Sequence, residues 1–210
     1  MNRALIPTEL RAHAPFTALG ALAGIGLLLA LLGAGIPAAS AAPLFTVLHP
    51  LHVLLSAQAT AATCRRQCGH GAWRLLWVGY LGSVGIATLS DCLIPYAGEW
   101  LLGLPNRGLH IGFIEHGWLV NPLALIGIAL GAWRAKSRVP HGLHVLVSTG
   151  ASLFHVAMAM GGAPSAAVLA AIAVFLFLAV WLPCCTSDIV FPLLFTPRSD
   201  RSPEPGHPHG

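Results

Sequence analysis

Charged residues are scarce in this 210-residue chain, in which Asp, Glu, Lys and Arg together make up 9%. In an ordinary soluble domain about a quarter of the residues are charged, so this composition excludes a soluble fold. Hydrophobic residues make up 56% of the chain and the mean hydropathy is +0.75. Apolar runs of about twenty residues, long enough to cross a bilayer, recur along the sequence. The sequence therefore predicts an all-α integral membrane protein embedded in a lipid bilayer.

Cysteine is also sparse. Its five copies are an odd number, and Cys184 and Cys185 are adjacent, which is not the pattern of a disulfide framework. The pI near 9.1 does not indicate nucleic-acid binding, because the basic residues lie in short loops between apolar runs. Basic residues in such loops set the topology of a membrane protein.

The apolar runs predict six transmembrane helices. With the N-terminus in the cytoplasm, every Lys and Arg except Arg107 falls on the cytoplasmic side, as the positive-inside rule requires. We therefore predict a multi-pass protein of the inner cell membrane with both termini in the cytoplasm. Pro183 and Pro192 are expected to break or kink the last helix. The predicted spans are 16–36, 44–63, 75–95, 113–133, 143–160 and 166–195.

A twelve-residue motif occurs twice. HPLHVLLSAQAT at 49–60 matches HGLHVLVSTGAS at 141–152 in seven of twelve positions, and SDCLIP at 90–95 is matched by SDIVFP at 187–192. A fainter match relates the first and fourth spans, where Gly24 corresponds to Gly127. Six spans and two copies give three spans per copy. Because three is odd, the second copy starts on the opposite side of the membrane and is inverted relative to the first, which is an architecture of transporters.

The repeat divides the chain into four parts. Residues 1–96 form the first three-span repeat and 113–196 the second. Residues 97–112 are predicted to be a turn-rich connecting loop, and the polar tail 197–210 is predicted to be disordered in the cytoplasm. The plan resembles that of small cation exporters built from two inverted three-span repeats, although the acidic signature motifs of those families are absent.

Both copies place polar side chains on one face of a membrane helix, where spacings of three and four residues keep them aligned. A polar stripe on a membrane helix faces the bundle interior or an aqueous path. Ser90 and Ser187 adjoin this path beside the aspartates described next. The predicted transport-pathway residues are Ser56, Thr60, Ser90, Ser148, Ser152, His155 and Ser187.

Two acidic residues, Asp91 and Asp188, lie within predicted spans. A carboxylate at the bilayer centre costs about 2.5–3.5 kcal/mol, so each needs a functional reason. Each Asp precedes a proline by four residues, Pro95 and Pro192, which would free backbone carbonyls for cation coordination.

The topology predicts two symmetry-related clusters. The outer set is His49, His52 and Asp91, and the inner set is His141, His144 and Asp188, with Cys184 and Cys185 one turn from Asp188. Two histidines and a carboxylate suit Zn, Fe, Mn, Co or Ni. Whether the sets are separate gates or one midplane site stays open at this point.

The pattern favours a secondary transporter for a divalent transition-metal cation, coupled to protons because histidine must be neutral to bind metal. The main alternative is an intramembrane metal-dependent hydrolase that uses one His/His/Asp centre, so the sequence leaves enzyme activity undecided. A b-haem protein with ligands His144 and His155 and a purely structural membrane protein are weaker alternatives. No nucleic-acid partner is expected, and a homodimer stays open.

Overall fold

The computed structural model of the protein describes residues 5–35, 40–67, 71–133, 141–185 and 191. These residues are predominantly helical and contain no strand, which confirms the all-α prediction. Within them the helical segments are α1 (Leu5–Gly33), α2 (Ala41–Gln67), α3 (Ala72–Leu101), α4 (Gly112–Glu115), α5 (Gly117–Trp133), α6 (His141–Met158) and α7 (Ala166–Cys185).

Helix α3 extends six residues beyond the predicted end of the third span at residue 95. It contains two π-helical turns, Leu81–Gly85 and Leu89–Leu93. After the second, the Ile94 N–H donates to the Leu89 carbonyl, five residues back. This wider turn carries the helix past Pro95, whose ring would clash with a regular α-helix. The helix ends at Leu101, and Gly103 follows with a φ of 64° that glycine adopts without strain.

Helices α2 and α5 run parallel and touch through their backbones. Gly127 and Gly131, four residues apart on α5, face α2 so closely that an added Cβ would fall on the carbonyl oxygens of Leu54 and Gln58. Small residues at this spacing let membrane helices approach each other. Gly127 faces Leu54 and Gly131 faces Gln58, so residue numbers rise together along the contact and the two helices run in the same direction.

Helices α2 and α6 cross in opposite directions. His52 contacts His144, Leu48 lies over Gly150, and Phe45 packs against His155. Residue numbers fall along α2 as they rise along α6, so the two helices are antiparallel. These helices carry the two copies of the twelve-residue motif.

Helix α1 packs on the other side of α6. Gly20 faces Thr149, and Gly24 faces Thr149 and Leu153, which agrees with the close approach expected from the spacing of these glycines. The largest apolar cluster joins α1, α2, α6 and α7 around Phe45, Leu153 and other buried side chains. Pro183 lies inside α7, two residues before its end, whereas Pro192 lies outside the described residues.

The two ends of the bundle are tied by polar contacts. At one end, Arg65 of α2 donates to the carbonyl of Ala132 at the end of α5. At the other end, the Asn106 N–H donates to the Ala159 carbonyl just after α6 at 3.0 Å. Exposed tryptophans lie near both ends, namely Trp73, Trp133, Trp100 and Trp118.

Three helices are long and apolar enough to cross a membrane, namely Ala41–Arg66, Ala72–Leu101 and Ala166–Cys184. The other three predicted spans correspond to shorter apolar helices, Thr17–Gly33, Gly117–Trp133 and Leu143–Met158. A membrane protein is therefore consistent with the fold.

Candidate metal centre

His52, His144 and Cys184 form a buried cluster at the crossing of α2, α6 and α7. The His52 Nε2 and His144 Nε2 atoms are 2.9 Å apart, and Cys184 Sγ lies 3.8 Å from His52 Nε2. One ligand atom from each residue falls within 4.8 Å of the other two, and all three residues are at most 2% exposed. These side chains could hold a metal ion.

The separations are close to those of a metal site. Typical bonds of about 2.0–2.1 Å to nitrogen and about 2.3 Å to sulfur, at tetrahedral angles, place two nitrogens about 3.3 Å apart and nitrogen and sulfur about 3.6 Å apart. The 2.9 Å and 3.8 Å distances need shifts of a few tenths of an ångström to match. Imidazole and thiolate together suit borderline and soft cations such as zinc.

Asp91 of α3 orients the histidines of α2. Its Oδ2 atom accepts hydrogen bonds from His49 Nδ1 at 3.0 Å and from His52 Nδ1 at 2.7 Å. A neutral His52 that donates through Nδ1 has a lone pair on Nε2, the atom that faces His144 and Cys184. A carboxylate behind a histidine is the usual arrangement for holding a metal-binding ring in place.

The second oxygen of Asp91 accepts hydroxyl hydrogen bonds. Ser90 Oγ is 2.6 Å away and Ser148 Oγ is 3.2 Å away. Ser152 Oγ lies 3.5 Å from the same oxygen and 3.0 Å from the Ser90 carbonyl. That carbonyl is five residues before Pro95, which has no N–H to donate to it. Hydroxyls of α6 thus stabilise both the carboxylate and the carbonyl near the π-helical turn.

The outer and inner residue sets of the sequence analysis meet in one place. His52 belongs to the outer set and His144 and Cys184 to the inner set, yet their ligand atoms share one buried cluster. Ser56 and Thr60 are buried on α2. His141 and Cys185 lie in α6 and α7 with side chains outside the described part of the chain, and Ser187 and Asp188 are outside the described residues altogether.

Glu99 is a buried acidic residue that sequence reasoning assigned to the connecting loop. It lies in the last turns of α3 and its Oε1 atom is 2.8 Å from His155 Nδ1. Two signals could have located it. The segment IPYAGEWLL stays apolar past Pro95, and a histidine as deep in a membrane helix as His155 requires a polar partner.

Phe45 lies between the two buried His–carboxylate groups. Its ring stacks on His49 at a centroid distance of 5.3 Å and meets His155 edge-on at 5.4 Å. Within the described part of the chain, His49 Nε2 and His155 Nε2 are buried without a hydrogen-bond partner. An added Cβ at Gly112 would fall on the His49 ring, so only glycine leaves room for this histidine.

Comparison with protein-family models, with curated proteins and with solved structures gives no match for this chain. An assignment of function therefore depends on the chemistry of the buried polar groups.

Proposed function

We propose that the protein is a secondary transporter for a divalent transition-metal cation, with its central site formed by His52, His144 and Cys184. The observation that carries the proposal is the 2.9 Å contact between His52 Nε2 and His144 Nε2. These are the same atom of the same residue in the two motif copies. In an inverted repeat, equivalent atoms that touch lie beside the axis relating the copies, and transporters with inverted repeats bind their substrates at the repeat interface.

Two further contacts support an inverted repeat. Gly24 of α1 lies 3.6 Å from Thr149 of α6, measured from an added Cβ, and Gly127 of α5 lies 2.8 Å from Ala57 of α2 in the same measure. The sequence repeat pairs Gly24 with Gly127 and Ala57 with Thr149, so the two contacts are counterparts. The antiparallel crossing of α2 and α6 has the direction that inversion requires.

Six membrane spans are part of this proposal. The shorter apolar helices have 16 or 17 residues, near the lower limit of about 17 residues for a tilt-free crossing. Each packs beside one of the longer helices. Exposed tryptophans lie near both ends of α3 and α5. Membrane proteins place tryptophans in this way at the two membrane–water interfaces. The location that fits best is the inner cell membrane.

The ligand set narrows the choice of cation. Thiolate and imidazole favour zinc and disfavour manganese, which prefers carboxylate oxygens. Asp91 orients His52 and His49 and, in the proposal, is not itself a ligand. Metal binding displaces the proton of the Cys184 thiol and requires the proton between the two Nε2 atoms to move to Nδ1 of His144, so cation and proton compete for one site. This competition supports proton coupling.

Transport of zinc by the purified protein in vesicles tests the proposal. We expect Zn²⁺ flux in the wild type and loss of both binding and flux in His52→Ala, His144→Ala and Cys184→Ser. His116→Ala is the matched control, because His116 contacts Thr46 at 3.4 Å and has no part in the cluster.

A wild-type protein that binds Zn²⁺ in detergent but moves none across the vesicle membrane contradicts the transporter. That result favours the metal-dependent hydrolase, in which the ion would activate a water molecule. Comparing matched substitutions in the two repeats does not separate the transporter from the hydrolase, because His52 and His144 belong to the same site whichever function is correct.

A further inference from the structure

A second buried pair of titratable groups lies away from the metal cluster. His155 Nδ1 and Glu99 Oε1 are 2.8 Å apart, and both residues are at most 1% exposed. The Gly108 N–H donates to Glu99 Oε2 at 3.2 Å. A buried carboxylate is expensive unless it is paired, and here each oxygen has a partner.

The open position of this pair is His155 Nε2. It is buried and has no hydrogen-bond partner among the described residues. The His155 ring meets the His110 ring at 5.6 Å on one side and the Phe45 ring at 5.4 Å on the other. His110 is 40% exposed and pairs with the equally accessible Glu115. Surface groups thus lie next to the buried pair, while Phe45 separates it from His49.

The pair has no counterpart in the other repeat. The offset between the motif copies aligns His155 with Thr63, and the offset between the Asp motifs aligns Glu99 with Thr196. The metal cluster uses the equivalent residues His52 and His144 of the two copies, whereas this pair belongs to one end of the bundle. The pair can therefore bind a second ion without occupying the metal ligands.

We propose that Glu99 and His155 form the binding site of the coupled proton. In the step, Glu99 stays a carboxylate that accepts the Nδ1–H of His155, and a proton from the His110 side adds to His155 Nε2. The pair changes from a net charge of −1 to neutral, and no other bond breaks. The inference rests on the proposed metal transport, because a coupled proton requires a transported cation.

Four other titratable or charged residues lie around the Glu99–His155 pair. His110 faces it from the segment after α3, Glu115 of α4 reaches it through His110, and His49 of α2 lies beyond Phe45. The Arg107 guanidinium packs over the Trp100 ring at 4.2 Å. The proton therefore has His110 as its nearest exchange partner.

Vesicles loaded with a pH-sensitive dye test the inference, with Zn²⁺ as the transported ion. Glu99→Gln and His155→Gln should keep the wild-type Zn²⁺ affinity in detergent and keep exchange of Zn²⁺ for Zn²⁺. Both should lose proton flux and the acceleration of Zn²⁺ movement by a pH gradient. His116→Gln, which alters a histidine that contacts Thr46 at 3.4 Å and lies outside the pair, is the matched control and should remain coupled. Glu99→Asp restores an ionisable group and should restore some proton flux.

The outcomes separate the two proposals. Normal proton flux per Zn²⁺ in Glu99→Gln, or loss of Zn²⁺ affinity in that variant, overturns the proton site and leaves the transporter standing. A wild type without Zn²⁺ flux overturns the transporter. If the variants do not fold, modification of the wild type by diethyl pyrocarbonate decides, because this reagent attacks only a neutral imidazole and His155 should react more as pH rises and its Nε2 proton is lost. Modification of His155 that does not change with pH overturns the inference.

Discussion

Asp91 is the residue on which the buried polar side chains converge. Its two oxygens accept from His49, His52, Ser90 and Ser148, which come from three helices. The carboxylate balances any positive charge on the histidines and sets which imidazole nitrogen is available to a metal. Asp91 thereby controls the geometry of the candidate metal ligands without having to coordinate the metal itself.

Asp91→Asn should lower the Zn²⁺ affinity by about 10–100-fold, the usual effect of removing a partner that orients a metal-binding histidine. Asn keeps the size of the side chain but removes the negative charge, and its NH2 group cannot accept a hydrogen bond where one of the two carboxylate oxygens did. Competition with a chelating dye measures the affinity, and Glu115→Gln controls for loss of a carboxylate elsewhere. Wild-type affinity in Asp91→Asn would mean that other groups orient His52.

At the scale of helices, the site depends on how closely α2 and α5 approach. Gly127 and Gly131 bring the α5 backbone against the carbonyls of α2, which places α2 where His52 can meet α6. The π-helical turns of α3 have a comparable effect, because they carry the helix past Pro95 and deliver both Asp91 and Glu99 to the interior.

Gly127→Ala should destabilise the protein by about 1–3 kcal/mol, as overpacking of a tight contact does, because the new methyl group falls on the Leu54 carbonyl. Gly26→Ala is the matched control. Gly26 lies within α1 with nothing within 4 Å of an added Cβ, so the change should be neutral or slightly stabilising.

The thermal midpoint of each purified variant in detergent measures the difference. Equal midpoints for Gly127→Ala and Gly26→Ala would show that α2 and α5 are less tightly packed than the glycine contacts indicate.

For the whole molecule, the polar contacts at the two ends of the bundle show which helix ends and loops lie on the same side. Arg65 and the end of α5 lie at one end, and Asn106 and the end of α6 lie at the other. The first end carries Arg65 and Arg66 in the last turn of α2, and the second contains Arg107. This distribution supports an orientation in which the Arg65 end faces the cytoplasm.

The proposed topology places both termini in the cytoplasm. A reporter that is active only in the cytoplasm, fused after Gly210, should be active, and the same reporter inserted after Asn106 should be silent. The reason is the excess of Arg and Lys in the loops of one side, which resists translocation. Activity of the insertion after Asn106, or silence of the C-terminal fusion, would contradict the six-span arrangement.

The sequence alone determined the all-helical class and predicted membrane-spanning helices, because scarce charge and long apolar runs leave few other ways to satisfy the backbone. It also singled out His49, His52, Asp91 and Ser148, since polar residues repeated in register on apolar helices stand out from their surroundings. Helical spacing shows which side chains share a face, and this information is local.

Only the tertiary structure decided that His52 meets His144 and Cys184. A helix face does not reveal where along its length another helix crosses, and that point is set by close backbone packing at residues such as Gly127. Glu99 was missed because Pro95 normally marks the end of a helix, whereas the π-helical turn before it lets α3 continue. The pairing of Glu99 with His155 joins residues 56 positions apart, so it depends on the packing of α3 against α6 and on no local pattern.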